Sequence, residues 1–175
     1  LAFLLGRLQG QLAILSKTQN MNSKLLFETF PYIKSNGSLS TRVMQYLRPR
    51  GVLRYVYRDI DILNTHLPHG VDDQSHYVNV IKEMCRPRPT VIGGDFNPPP
   101  RANDSALFAP LREVGIVQEP SRHVTWNLEE PLTRRTDDTP QDMQLDYILH
   151  NGGKSYYATL PTKVSDHYGL VCEFA

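Results

Sequence analysis

The stretch GGDFNPPP, residues 93–100, sets a carboxylate and an amide between two glycines and three prolines. Thr90, Val91 and Ile92 before it are β-prone and read as a buried strand running into Gly93 and Gly94. Pro98, Pro99 and Pro100 have no N–H to give to a sheet, so the strand ends there. Asp95 and Asn97 therefore lie at the mouth of a sheet. In extended backbone residues two apart point the same way, which predicts Asp95 and Asn97 on one side and Phe96 turned inward.

Working outward, Gly51–Tyr57 and Ile60–Thr65 read as strands joined by a tight turn at Arg58-Asp59. Tyr77, Val80, Ile81 and Met84 have helical spacing, so 72–84 is predicted as a helix with Asp72 as N-cap. A second helix is predicted over 105–114. Further strands are expected at 11–16, 25–30, 43–47, 144–150, 156–160 and 169–174, with a short extended piece at 124–127 and a charged loop over 129–141. Asn151-Gly152-Gly153 turns the chain. Strands alternate with helices in the middle and follow one another directly at both ends, which favours a layered α/β or α+β domain with a mixed sheet.

The bulk numbers agree with one domain. The chain has 175 residues, 40% of them hydrophobic, enough for a single core. No apolar run approaches the roughly 18 residues a membrane span needs. LAFLLGRLQG at the start is too short and too poorly flanked to read as a signal peptide, and it looks like the end of an amphipathic helix. A soluble protein is expected, with no compartment indicated. Cys85 and Cys172 lack metal-ligand spacing and read as buried thiols. Residues 1–58 carry nine Lys/Arg and one acid, whereas 59–175 carry ten Lys/Arg and seventeen acids. Arg48, Arg50, Arg54 and Arg58 cluster near the join. They are either a solvated strand face or a surface for phosphate-rich substrates, to which Arg54 and Arg58 would contribute.

Three more strand ends carry polar residues. Ile60–Leu63 runs into Asn64-Thr65-His66. Asp146 interrupts the apolar Leu145–Leu149. Val164 leads into Ser165-Asp166-His167. A buried acid is costly unless paired or bound to a metal, and here several occur at similar places. Ser165, Asp166 and His167 are not a hydrolase triad, because consecutive side chains diverge.

NTH at 64–66, GGDFN at 93–97, TW at 125–126, LDYIL at 145–149 and SDHYGL at 165–170 resemble, in order and spacing, the endonuclease/exonuclease/phosphatase superfamily. That group contains DNase I-like nucleases, apurinic endonucleases, neutral sphingomyelinases and inositol polyphosphate 5-phosphatases. The resemblance spans nearly the whole chain and implies a DNase I-like, two-sheet α/β sandwich with the active site where strand ends meet. It implies divalent-metal-dependent phosphoester hydrolysis, with Mg²⁺ as cation and Mn²⁺ as a substitute. Asp95 would orient or deprotonate the water, and Asn97 would donate to the phosphate. His167, oriented by Asp146, would contact the phosphate or move a proton. His66 would take the opposing role and Asp166 the metal side, with Asn64 and Trp126 in support. The implied substrate is a nucleic acid, a phospholipid or an inositol phosphate.

The family pattern begins with an asparagine-bearing strand and a strand ending in a metal-binding glutamate. Neither is found here, and Glu28 lies on the wrong side of AILSK. The expectation is a single domain over 1–175 whose front portion is missing. The alternative is a catalytically impaired relative kept as a binding or scaffolding module. Nucleic-acid binding without cleavage is a third reading, resting on the basic N-terminal part.

Overall fold

A computed structural model describes residues 25–30, 50–68, 74–98, 104–118, 123–127, 142–153, 155–160 and 167–174. Its centre is a six-stranded mixed sheet in the order β1-β2-β3-β4-β8-β5. The strands are β1 (Leu25–Thr29), β2 (Gly51–Tyr57), β3 (Ile60–His66), β4 (Thr90–Asp95), β5 (Val117–Gln118) and β8 (Asp146–His150). β1, β2 and β3 run antiparallel in turn. β3 and β4 are parallel and β8 returns antiparallel to β4. Two small sheets complete the structure: β6 (Trp126–Asn127) with β7 (Asp142–Met143), and β9 (Ser155–Leu160) with β10 (Gly169–Phe174).

A parallel pair needs a crossover, and helix α1 (Ser75–Met84) supplies it between β3 and β4. Its buried face is Tyr77, Val78 and Ile81. With α2 (Asp104–Leu107) and α3 (Ala109–Arg112) it covers one face of the sheet. That face carries Val52, Leu63, Ile92, Tyr147 and Leu149, packed with Phe96, Phe108 and Leu111 in the main core. Phe96 meets Phe108 edge-on at 5.2 Å and Tyr147 at 5.7 Å. On the other face, Tyr157 of β9 stacks on the His150 ring, 6.4 Å between centroids, and its hydroxyl donates to the Ile148 carbonyl at 3.1 Å.

The hairpin β2–β3 and the strands β4, β9 and β10 fall where the sequence predicts them. Three expectations are corrected. The helix expected over 105–114 is two short helices that break at Phe108. Pro110 cannot donate to the carbonyl four residues back, so the chain restarts with proline in the first turn of α3. Helix α1 begins at Ser75, with Gln74 rather than Asp72 at the N-cap. Strand β8 begins at Asp146, not Gln144, because the Leu145 and Asp146 N–H groups both donate to Thr125 Oγ1, at 2.9 and 3.0 Å. The strands expected at 11–16 and 43–47 and the loop over 129–141 lie outside the described residues. The two-residue strands β5 and β7 were not anticipated; so short a pairing leaves no periodicity to read. Both cysteines are half-buried, and burial pushes the Cys85 thiol up to about 11, which suits packing rather than reactivity.

Candidate active site

The parallel pairing of β3 and β4 sets His66 opposite Asp95, and the antiparallel pairing of β4 and β8 sets Asp95 opposite Asp146. Residues paired across strands share a face, so these three side chains form a row along one rim of the sheet. It is the face opposite the helices. Asn64 is on the same face one pleat deeper, opposite Gly93.

Each member of the row has a specific neighbour. His66 Nε2 faces Asp95 Oδ2 at 3.3 Å, and Arg50 Nη1 donates to His66 Nδ1 at 2.6 Å. The Asn97 backbone N–H donates to Asp95 Oδ1 at 2.9 Å. His167 Nδ1 lies 2.8 Å from Asp146 Oδ2, within ordinary hydrogen-bond reach. A backbone bridge between His167 and Trp126 holds the histidine's strand against β6.

The Asp95 carboxyl is perturbed. Burial, then the nearby Asp146 charge, raises its carboxyl to about 6. The Asn97 N–H, His167 and Arg50 pull the other way without cancelling the rise. A carboxylate near 6 is ionised at neutral pH yet more basic than an ordinary aspartate, which suits proton abstraction.

The turn that carries Asn97 departs from the extended backbone expected there. Asn97 is left-handed, φ 42°, so it does not simply repeat the direction of Asp95. Its side-chain amide donates to the Leu67 carbonyl at 2.9 Å, tying the loop after β4 to the loop after β3. Gln74 completes the tie: its Nε2 donates to the Pro68 and Asn97 carbonyls at 3.0 and 2.7 Å. Beneath them, Gly94 lies so close to β3 that a Cβ would sit 1.9 Å from the Thr65 carbonyl oxygen, at φ 144°. The second glycine of GGDFN is thus required by strand contact.

The structure does not bring Arg54 and Arg58 to this rim. Arg54 is buried on the helix-covered face, where it grips the fully buried Asp61 through Nε at 3.1 Å and Nη2 at 2.8 and 3.0 Å. Arg58 is in the β2–β3 turn, left-handed at φ 53°, with its guanidinium 5.4 Å from the Tyr57 ring centre. That turn is at the far end of β3 from His66, about 20 Å away at strand rise. Asp166 lies outside the described residues. Glu28 is exposed on β1, the last strand on that side of the sheet among the described residues, opposite Val52 and apart from the row.

Three contributors have roles the sequence did not assign: Arg50 was named only within the arginine cluster, Thr125 only within the TW pair, and Gln74 not at all. Arg50 reaches His66, Gln74 ties the two rim loops, and Thr125 holds the start of β8. Thr125 is fully buried, and its carbonyl also accepts the Tyr168 N–H at 2.7 Å, so it braces the chain beside both Asp146 and His167. A threonine before a tryptophan and an arginine before a glycine are the only signals the sequence offers for two of them.

Among the described residues no three His, Cys, Asp or Glu side chains are arranged so as to hold a metal ion. The described rim is not by itself a cation shell.

The sequence matches the Endonuclease/Exonuclease/phosphatase family over residues 5–167, and the chain belongs to that family. No curated protein matches it significantly. Its fold is similar to an endonuclease/exonuclease/phosphatase family protein from Leptotrichia buccalis: TM-score 0.50, 18% identity, 90% of this chain against 62% of that one. TDP2 from D. rerio, solved with a single-strand DNA product, gives TM-score 0.51 at 14% identity over 85% of this chain and 66% of that chain. The inositol polyphosphate 5-phosphatase domain of SPsynaptojanin, solved with inositol (1,4)-bisphosphate and a calcium ion, gives 0.54 at 16% identity over 85% and 53%. These likenesses show a DNase I-like α/β fold, and the chain spans about half to two thirds of the length of each. No described helix is long and apolar enough to cross a membrane.

Proposed function

We propose that this chain carries the active site of a divalent-metal-dependent phosphoester hydrolase of the phosphodiesterase or nuclease kind. The observation that supports it is the row His66–Asp95–Asp146, with His167 held on Asp146.

Asp95 is the base, or the group that aims the attacking water. Its raised carboxyl matches that task. Asp146 accepts from His167 Nδ1–H, which leaves Nε2 to contact a phosphoryl oxygen or to move a proton at the leaving oxygen. Asn97 turns its loop over the Asp95 carboxylate; one N–H of its amide is held by the Leu67 carbonyl, and the second is the one left to donate toward the phosphate. His66 takes the place beside Asp95, with Asn64 and Trp126 as supports. Asp166 is assigned to the metal side, with Mg²⁺ or Mn²⁺ as the cation. A divalent cation supplies charge neutralisation on the phosphoryl oxygens when bound. The substrate is a nucleic acid, a phospholipid or an inositol phosphate.

The test is turnover of bis-(p-nitrophenyl) phosphate, plasmid DNA, RNA, sphingomyelin and inositol phosphates, with Mg²⁺, Mn²⁺ or chelator. Asp95→Asn and His167→Ala should each lower turnover by about 10²–10⁴-fold. A folded chain that binds these substrates but cleaves none, with either cation, is instead a binding relative of the family.

A further inference from the structure

We infer that Arg50 is a positioning residue of this site, holding the His66 imidazole in a single tautomer with its one proton on Nε2, directed at Asp95. The inference deepens the hydrolase reading above and rests on it for its catalytic meaning, but its geometry stands on its own.

Hydrogen-bond chemistry forces the assignment. A guanidinium carries only donors, five N–H groups and no acceptor. Arg50 Nη1 lies 2.6 Å from His66 Nδ1, so Nδ1 must be the acceptor and cannot bear a proton. The remaining nitrogen, Nε2, carries it, and it lies 3.3 Å from Asp95 Oδ2. That is long for a strong hydrogen bond, yet it is the only carboxylate oxygen paired with the ring among the described residues. An imidazole so held keeps Nδ1 occupied and presents Nε2–H to the base. His66 therefore acts on Asp95, steadying the carboxylate for the water. The Nδ1 of His167, by contrast, meets a carboxylate rather than a guanidinium.

The local sequence explains why the arginine can be there. Arg50 immediately precedes β2, whose first residues pair with the end of β3: Val52 is opposite Thr65. The Thr65 hydroxyl donates to the Gly51 carbonyl at 3.1 Å, and the Phe30 N–H donates to the Arg50 carbonyl at 2.8 Å. A Cβ at Gly51 would meet the Glu28 carbonyl oxygen at 2.2 Å. The backbone at Arg50 and Gly51 is thereby fixed, and the Arg50 side chain reaches His66 across the strand ends.

The experiment reads the ring nitrogens directly. The chain is labelled with ¹⁵N-histidine, and His66 is assigned by the signal lost in His66→Gln. Two-bond ¹H–¹⁵N correlation at neutral pH should show Nδ1 bare and Nε2 protonated. Arg50→Met should mix the two tautomers, and Arg50→Lys, which keeps a donor, should retain the wild-type pattern at least in part. A proton on Nδ1 in the wild type, or an unchanged spectrum in Arg50→Met, overturns the inference. If Arg50→Met does not fold, the wild-type spectrum and Arg50→Lys decide. In turnover, Arg50→Met should lower kcat by about 10–100-fold, as loss of a histidine-orienting partner does. Combined with His66→Gln it should add little, since the two act as one unit; fully additive losses would refute the link. A wild type without turnover on any substrate removes the hydrolase reading, while the tautomer result still judges the role of Arg50.

Discussion

Asp61→Ala tests whether the arginines of β2 serve the substrate or the fold. Asp61 is fully buried and Arg54 nearly so. The carboxylate accepts from Arg54 at three contacts of 2.8 to 3.1 Å, and Arg88 Nε adds a fourth at 3.0 Å. Removing Asp61 strands the Arg54 guanidinium inside the core. Breaking one partner of a buried pair costs about 3–5 kcal/mol, against a total of about 5–15 kcal/mol for a domain. Arg88 is about a third exposed and can turn to water, so it adds little to the loss. Arg54→Met should cost less than Asp61→Ala, because Arg88 still partners the carboxylate. The double variant Arg54→Met/Asp61→Leu should recover most of the stability, since a well-packed apolar pair often matches a buried ion pair. Urea denaturation followed by circular dichroism and by the single tryptophan, Trp126, measures all three. Turnover per folded molecule should be unchanged in Arg54→Met. A stable Arg54→Met that loses phosphoester affinity would refute the structural assignment and restore the phosphate-binding one.

Asp95→Asn in chelator should raise stability by up to about 3 kcal/mol at pH 7, from a carboxyl raised from 3.8 to about 6. Because the folded protein holds that proton more tightly than the unfolded chain, the wild type loses stability as pH rises from about 4 to about 6. The gap between variant and wild type should close below pH 4, and a gap that persists there contradicts the cause. Hydrolysis limited by Asp95 as base should rise through about pH 6. Thr125→Val removes one acceptor from two backbone N–H groups and should cost about 1–3 kcal/mol for each left unpaired, with Thr125→Ser largely spared; equal losses would deny the hydroxyl its role. Gly94→Ala should cost more than about 4 kcal/mol, because its Cβ collides with the β3 backbone, and a soluble, two-state Gly94→Ala of near wild-type midpoint would show that contact to be loose.

What could be read from the sequence follows the range of the interactions. Phe96 was legible as a core residue because the two-residue period of a strand decides it, and it is fully buried. The strand-end positions of His66 and Asp95 were legible because β-prone runs lead into them, whereas Asp146, read inside a strand from Gln144, is the first residue of β8. Arg54 was not, since its partner is on the next strand. In register it is opposite Leu63, and its guanidinium reaches diagonally to Asp61 on the face that the helices cover. Alternation within β2 gives no sign of that, because Val52, Leu53 and Arg54 are all buried in succession. The two-helix form of 104–112 was written in Pro110, but a proline also opens helices, and periodicity alone does not choose between one helix and two. Gln74 was hidden by distance: it precedes α1, and the carbonyl it ties down at Asn97 is 23 residues on.

The rim itself follows from topology. A parallel pair joined by a crossover delivers two strand C-termini to the same edge of the sheet. β3 and β4 are such a pair, so His66 and Asp95 arrive side by side. A strand antiparallel to β4 brings its first residue to that edge instead, and the first residue of β8 is Asp146. β2, antiparallel to β3, likewise starts there, which is why the residue just before it is Arg50 beside His66. Two strand ends and two strand beginnings thus place an arginine, a histidine and two aspartates in one line. Neither motif spacing nor composition contains that order; strand direction does. The same geometry separates the arginines that share the sequence RPRGVLRYVYR. Among the three described ones, Arg50 stands at the starting end of β2, Arg54 points under the helices and Arg58 marks the opposite end, so of these three Arg50 alone is placed to touch the chemistry.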